Sequence, residues 1–298
     1  MAIQYSGNAQ TSTFTTATKQ DIINAVGAAL LTAGWTTVSG GTGTTAWKLQ
    51  STTTPQGYAI RVLMQDNGGT CVTFSIESSD GTLSGGNSTT AGGGFLNPGG
   101  YTYRIVCSKY QAIIWATPDP IASRTFVAFG VPSVASWLVS SISRVGWMQG
   151  NAITDTDTGT RPSFRTGLGI NEANIIYGAQ QALLNSTLWS LNSTGTGNYM
   201  GQIYLAALGA IVANRIVQAA AYLNGAAIIL DALIFWGATS ASAIAACYGQ
   251  LWDSFIIAAA LAGDQTAAAP DGHAYIVVTD NSNGIIAGMF GTLMVATS

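Results

Sequence analysis

The chain has 298 residues, of which 48% are apolar and only 8% charged, with a formal net charge of −3 at pH 7. That length suits one large β-rich domain or two ordinary ones, and the apolar share is enough for a sizeable core. The charge speaks against a nucleic-acid binder, because no Lys/Arg cluster is present to neutralise phosphates.

Charge is scarce as well as balanced, at about a third of the share in a typical soluble domain. Gly, Ser, Thr, Asn and Ala fill the space instead. Such a neutral, hydroxyl-rich surface suits a protein covered by neighbouring subunits, or one that works outside cells. The three cysteines, Cys71, Cys107 and Cys247, are widely spaced and lie in apolar runs, where a free thiol acts as a small hydrophobe. A Cys71–Cys107 disulfide requires their strands to be neighbours, and zinc ligation lacks paired spacing.

In chain order, residues 1–17 read as an extended or mobile arm rich in Ser, Thr, Gln and Asn. The opening MAIQYSGNAQTSTF has neither the basic start nor the apolar core of a secretory leader. A helix is expected from Thr18, an N-cap with Asp21 three residues on. Ile22, Ile23, Val26, Leu30 and Leu31 are expected on its buried face, with Gly34 as the stop and Trp35 as an anchor.

Antiparallel strands are expected over 46–50, 58–65 and 71–77, where apolar and polar residues alternate between strong turn signals. Residues 80–100 are rich in Gly, Ser and Thr and read as a loop without regular structure. Three apolar runs follow in close succession, at 101–107, 110–116 and 125–131, punctuated by Ser108-Lys109 and Thr117-Pro118-Asp119-Pro120. Their β-branched and aromatic content predicts a buried meander at the heart of an N-terminal unit.

Residues 137–145 fit either strand or helix, and 151–169 read as a long loop. In the Ala-rich stretch, 202–213 and 214–222 fit helices by propensity, while Asn224-Gly225, the commonest hairpin dipeptide, favours paired strands around it. Residues 252–261, 273–279 and 293–296 are strand-like. The fold class is therefore α+β and β-dominated. An arm (1–17) precedes a helix-on-antiparallel-sheet unit (18–132) and a second, mostly β, sandwich-like unit (133–298). The very apolar stretch 203–236 is interrupted by Arg215 and Asp231 and reads as buried core rather than a membrane span of about 20 residues.

Candidate chemistry is sparse. His273, the only histidine, follows Asp271-Gly272 and reads as a turn entering a strand; any Ser/His or Cys/His system would have to use it. The two glutamates are Glu77, with Asp80 nearby, and Glu172; a glycosidase needs two such groups facing one cleft. Asp155–Gly159 and Asp280–Gly284 offer alternate oxygen ligands for calcium but lack the bidentate Glu of an EF-hand, and Asp, Asn, Ser and Gly also dominate ordinary turns. Trp35, Trp47, Trp115, Trp236 and Trp252 invite a carbohydrate-binding reading, yet each sits within or beside an apolar run, where core packing is the ordinary use. No phosphate-cradling glycine motif is present. The residues thus assign no catalytic, cofactor or metal position.

Two sets of segments carry a resemblance. The first is Ala33-Gly34-Trp35, then Trp47-Lys48-Leu49-Gln50-Ser51, a GYAIRV strand, and Tyr103-Arg104 before Lys109-Tyr110-Gln111. The second is Gly249-Gln250-Leu251-Trp252-Asp253, Gly263-Asp264, Asp271-Gly272-His273 and Gly291-Thr292-Leu293. Together they resemble virion structural proteins of tailed bacteriophages, of the tail, baseplate or neck type. The resemblance implies scaffold residues, a non-enzymatic assembly role and no cofactor. It also implies residence in a virion assembled in the bacterial cytoplasm, as a homo-oligomer among other virion proteins, without nucleic acid or membrane as partner. The alternatives are a receptor- or glycan-binding module, using exposed aromatics in loops such as 84–100, and a virion-associated hydrolase.

Overall fold

The computed structural model describes residues 3–78, 94–117, 125–134, 146–150, 182–183, 229–237, 244–257, 266–268, 272–277 and 292–297. Within them the chain is β-dominated α+β, with one helix and two antiparallel sheets.

Helix α1 (Lys19–Thr32) begins as its sequence dictates. The Asp21 amide donates to Thr18 Oγ1 at 3.2 Å, and the Thr18 amide donates back to Asp21 Oδ2 at 2.7 Å, closing a capping box. Those bonds, the Thr18 amide first, hold the Asp21 carboxyl below the usual carboxylate range. Gly34 ends the helix at φ 95°, a left-handed position that favours glycine, with the Trp35 amide bonded to Leu30 O at 3.0 Å. Ile22, Ile23, Val26 and Leu30 are buried as expected. Leu31 is not: it is 40% exposed, because a 3.6-residue period carries it past the edge of the buried stripe.

The strands, in order, are β1 (Gln10–Thr15), β2 (Thr36–Gly40), β3 (Ala46–Gln50), β4 (Ile60–Gln65), β5 (Val72–Ser78), β6 (Gly94–Leu96), β7 (Thr102–Cys107), β8 (Gln111–Thr117) and β9 (Thr125–Gly130). They pair as β1-β7-β8-β9-β6-β5-β4-β3-β2, every neighbour antiparallel. The expected meander is β7-β8-β9. Its last strand, β9, ends in mid-sheet, with β8 on one edge and β6 on the other, so the most apolar strands fall where both edges are covered.

Side-chain alternation splits this sheet into two faces. Trp47, Leu49, Val62, Met64, Phe74, Ile105, Ile114 and Phe129 lie under α1 in one core. Gly27 allows the close approach: a Cβ there would stand 2.2 Å from Trp47 Cζ3. Gln111, Ile113 and Trp115 turn to the opposite face and are buried as well.

The material covering that face comes from beyond residue 132. Strands β10 (Ser133–Val134), β11 (Trp147–Gly150), β12 (Ala182–Leu183), β13 (Ile229–Gly237), β14 (Ile244–Ile257), β15 (Thr266–Ala268), β16 (Ala274–Val277) and β17 (Thr292–Ala296) follow. A second sheet runs β10-β14-β17-β16-β15, with β13 on the other edge of β14. Leu251, Ile276 and Val295 belong to the same core as Trp115. Strand β11, from beyond residue 132, pairs with β9 and so joins the first sheet.

Two expectations need correction. Residues 3–17 are extended, but they dock on their own chain and do not form a mobile arm. Strand β1 pairs with β7 of its own sheet, and the Asn8 side chain bonds Ala33 O at 2.6 Å and the Lys109 amide at 3.1 Å. Polar side chains can dock a segment by satisfying chain-end and turn groups, which apolar content does not register. Deleting 2–17 would therefore strip a strand from the sheet. Part of the 80–100 loop is strand β6, filling the gap between β5 and β9. The condition set for a Cys71–Cys107 bridge is not met, and neither buried sulfur is in a disulfide. Cys107 closes β7 and Cys71 directly precedes β5, and β8, β9 and β6 lie between those two strands. Burial pushes the Cys107 thiol up to about 12, leaving it inert.

Of the ambiguous Ala-rich stretch, 229–236 lies in strand β13; residues 203–228 and the segment 137–145 lie outside the described residues.

Candidate functional site

Among the described residues, a cluster of buried polar side chains, Ser6, Ser108, Gln111, Asp253 and Ser254, lies at the seam between the sheets. Strand β14 bends at Asp253, whose φ of 52° is the only positive value among the described non-glycine residues. Short Asp and Asn side chains tolerate that region better than most. The bend divides the β14 edge between β10, at Gly249 and Gln250, and β17, from Ser254 onward. Gln4 bridges Trp252 in the gap, accepting from the Asp253 amide at 2.7 Å.

Two side chains hold the seam. Gln111, at the start of β8, donates through Nε2 to Trp252 O and to Ser254 Oγ at 3.3 Å, and accepts from the Trp252 amide at 3.2 Å. It bonds both main-chain groups of Trp252, as a strand partner would. Asp253 Oδ1 accepts from the Ser6 amide at 2.6 Å. Its Oδ2 is buried without a hydrogen bond, although the Ser108 hydroxyl stands near enough to favour the ionised form. Burial dominates and raises the Asp253 pKa, against the Ser6 bonds, Ser108 and the Lys109 charge.

The chemistry of this cluster is that of a clasp. The Ser254 hydroxyl donates to Trp252 O at 2.7 Å, and Asp253 is bonded to a main-chain amide, so no nucleophile faces a base. The clasp has a pH signature. A carboxyl whose folded pKa lies above its unfolded value, near 3.8, adds stability below that value. The contribution is lost as pH rises through the folded pKa. Asp253→Asn keeps an acceptor for Ser6 and tolerates the left-handed bend. It is expected to raise the urea midpoint at neutral pH and flatten its pH dependence above the unfolded value near 3.8. Asp253→Ala loses the acceptor and the tolerance, and is expected to lower stability by about 2–4 kcal/mol. Equal midpoints for the two variants at neutral pH would refute the clasp.

The residues singled out for catalysis are not brought together. Glu77 Oε1 lies 2.9 Å from Lys48 Nζ and 3.7 Å from Arg61 Nη1, on the β3-β4-β5 face away from α1. These pairs are partly buried at the rim of the sheet, and such ladders contribute modestly. Asp80 and Glu172 lie outside the described residues, as do both candidate calcium segments. His273 enters β16 after Gly272, at φ 87°, as read. Its ring stacks on Tyr5 at 4.1 Å, and the Tyr5 and Tyr275 hydroxyls share a hydrogen bond. With Phe255 and Ile3, these rings fasten the first residues to the second sheet.

Trp35, Trp47, Trp115 and Trp252 are all buried. None of the four offers a face to a glycan. The side chains of Trp236 and Cys247 and the loop 84–93 lie outside the described residues. No group of three His, Cys, Asp or Glu residues that could hold a metal stands together among the described residues. No helix among them is long and apolar enough to cross a membrane.

Sequence reasoning missed Gln111 and Asp253. The available signal was a polar residue at the mouth of the apolar run AIIWA, and a carboxylate inside a strand-like stretch. No protein-family model and no curated protein matches the chain.

Proposed function

We propose that the chain is a non-enzymatic structural component of a tailed-phage virion, placed in the tail, baseplate or neck and acting through protein–protein contacts. The observation that carries the reading is where its polar groups go. Among the described residues, those singled out for chemistry are engaged in scaffold, Glu77 in a charge ladder and His273 in an aromatic stack, and the buried Asp253 and Gln111 hold the seam. The outer strands β1 and β2 meanwhile carry only Gln, Ser, Thr, Val, Phe and Gly. A surface with so little charge offers little repulsion to neighbouring subunits. The segment resemblance adds the setting: a virion assembled in the bacterial cytoplasm, with several copies of the chain among other virion proteins.

The test is to purify particles by density from cells producing the phage and quantify the chain by mass spectrometry. A fixed, integral ratio to other particle proteins, retained through repeated banding, is expected. Exclusion of the chain from particles would overturn the reading.

A further inference from the structure

The two outer edges of the large sheet are built differently. At β2 the pairing with β3 shifts register between Thr37 and Ser39, and the strand ends at Gly40 with φ 77°. A bulge of that kind twists an edge away from further pairing. At β1 nothing interrupts the ladder: six residues, Gln10 to Thr15, run in unbroken register against Cys107 to Thr102. The strand has no charge, no proline and no bulge, so its own sequence carries none of the devices that protect an edge.

The ladder also shows which groups face outward. The Thr16 amide donates to Tyr101 O at 3.0 Å, in the same register, so Gln10, Ser12 and Phe14 turn their main-chain groups toward β7. Thr11, Thr13 and Thr15 turn theirs away from the sheet. All three are exposed, and no described strand other than β7 pairs with β1.

We propose that this edge is a homotypic contact on which β1 of a second copy pairs antiparallel, Thr13 lying opposite Thr13 of that copy. The occupant follows from self-complementarity. A two-fold axis at Thr13 sets Thr11 against Thr15 on both sides, so the outward groups meet in about six main-chain hydrogen bonds. Their side chains form an uncharged threonine ladder, and cross-strand threonine pairs are favourable. It would extend the Thr15–Thr102 contact, whose hydroxyls are 3.3 Å apart. No charge in β1 opposes its own copy. The contact is shorter than a standard interface of about 1,600 Å², so in solution it is weak and needs high protein concentration. In a particle, neighbouring contacts add to it. That biological setting rests on the assembly reading above, whereas the contact itself is read from the strand.

The experiment is sedimentation of the full-length chain at high concentration, with Thr13→Lys, Thr13→Glu and Thr13→Pro. The native chain is expected to dimerise. Each charge variant faces its own like charge and should associate roughly fivefold more weakly. Proline removes only the outward Thr13 donor, leaving the β7 ladder intact, and should weaken association roughly tenfold. An equimolar Lys/Glu mixture should recover native association, because the axis places residue 13 against itself. A monomeric native chain, association blind to position 13, or no recovery on mixing would each overturn the proposal. Particle content is scored separately: a chain missing from particles sinks the virion reading alone, and association blind to position 13 sinks the contact alone.

Discussion

Trp35→Ala is expected to lower the unfolding free energy by about 3–5 kcal/mol, enough to threaten the fold of the N-terminal unit. Trp35 sits where the end of α1 meets the sheet. Its ring is buried edge-on to Phe129 at 5.8 Å, and its Nε1 donates to Ser108 O at 2.8 Å. That bond ties the helix end to the β7–β8 turn, the same turn whose Lys109 amide is bonded by Asn8. Alanine removes both the ring and the donor. Trp35→Phe restores most of the apolar volume and leaves the Ser108 carbonyl short of a partner, so about 1–3 kcal/mol should be lost. Denaturant midpoints with unchanged slope would measure both losses. A phenylalanine variant as weak as the alanine one would show that the hydrogen bond, and not the packing, dominates.

The second large effect is expected at Gln111. Gln111→Leu has similar length and no polar atoms, so it strands the buried Trp252 amide and leaves Trp252 O with Ser254 alone. An unpaired buried donor costs about 1–3 kcal/mol, and misfit at the seam adds to it. The loss should be local. Amide exchange should accelerate in β14 and in residues 4–8, which lean on the same bend, while β3, β4 and β5 stay protected. Uniform acceleration across both sheets would contradict a clasp confined to the seam. Gln111→Glu should be at least as harmful, since a carboxylate oxygen would then face Trp252 O.

Much of the frame was legible in the chain itself. The Thr18–Asp21 pair, the helical spacing of Ile22, Ile23, Val26 and Leu30, and Gly34 determine α1 through local bonds and period alone. Alternation in β4 and β5 determines strands because one face must be buried and the other wetted. The three β-branched runs of the meander determine β7, β8 and β9 for a related reason: strands covered on both faces read as continuous apolar segments. The overall class, α+β and β-dominated, follows from these elements.

Only the tertiary structure decided the rest, and the physical reason is common to each case. Strand β1 has one large apolar residue in six, so nothing local distinguishes it from a polar coil; it becomes a strand because β7 presents an unpaired edge. Strand β6 exists because β5 and β9 leave a gap between them. The Ala-rich run around β13 carries helix propensity, and register shifts along its pairing with β14 mark how loosely its own sequence specifies it. Gln111 and Asp253 acquire their roles from a bend more than a hundred residues away in one case, and from an amide near the other end of the chain in the other. Hydrogen bonds between distant segments depend on where the backbone arrives, and periodicity within a segment holds no information about that.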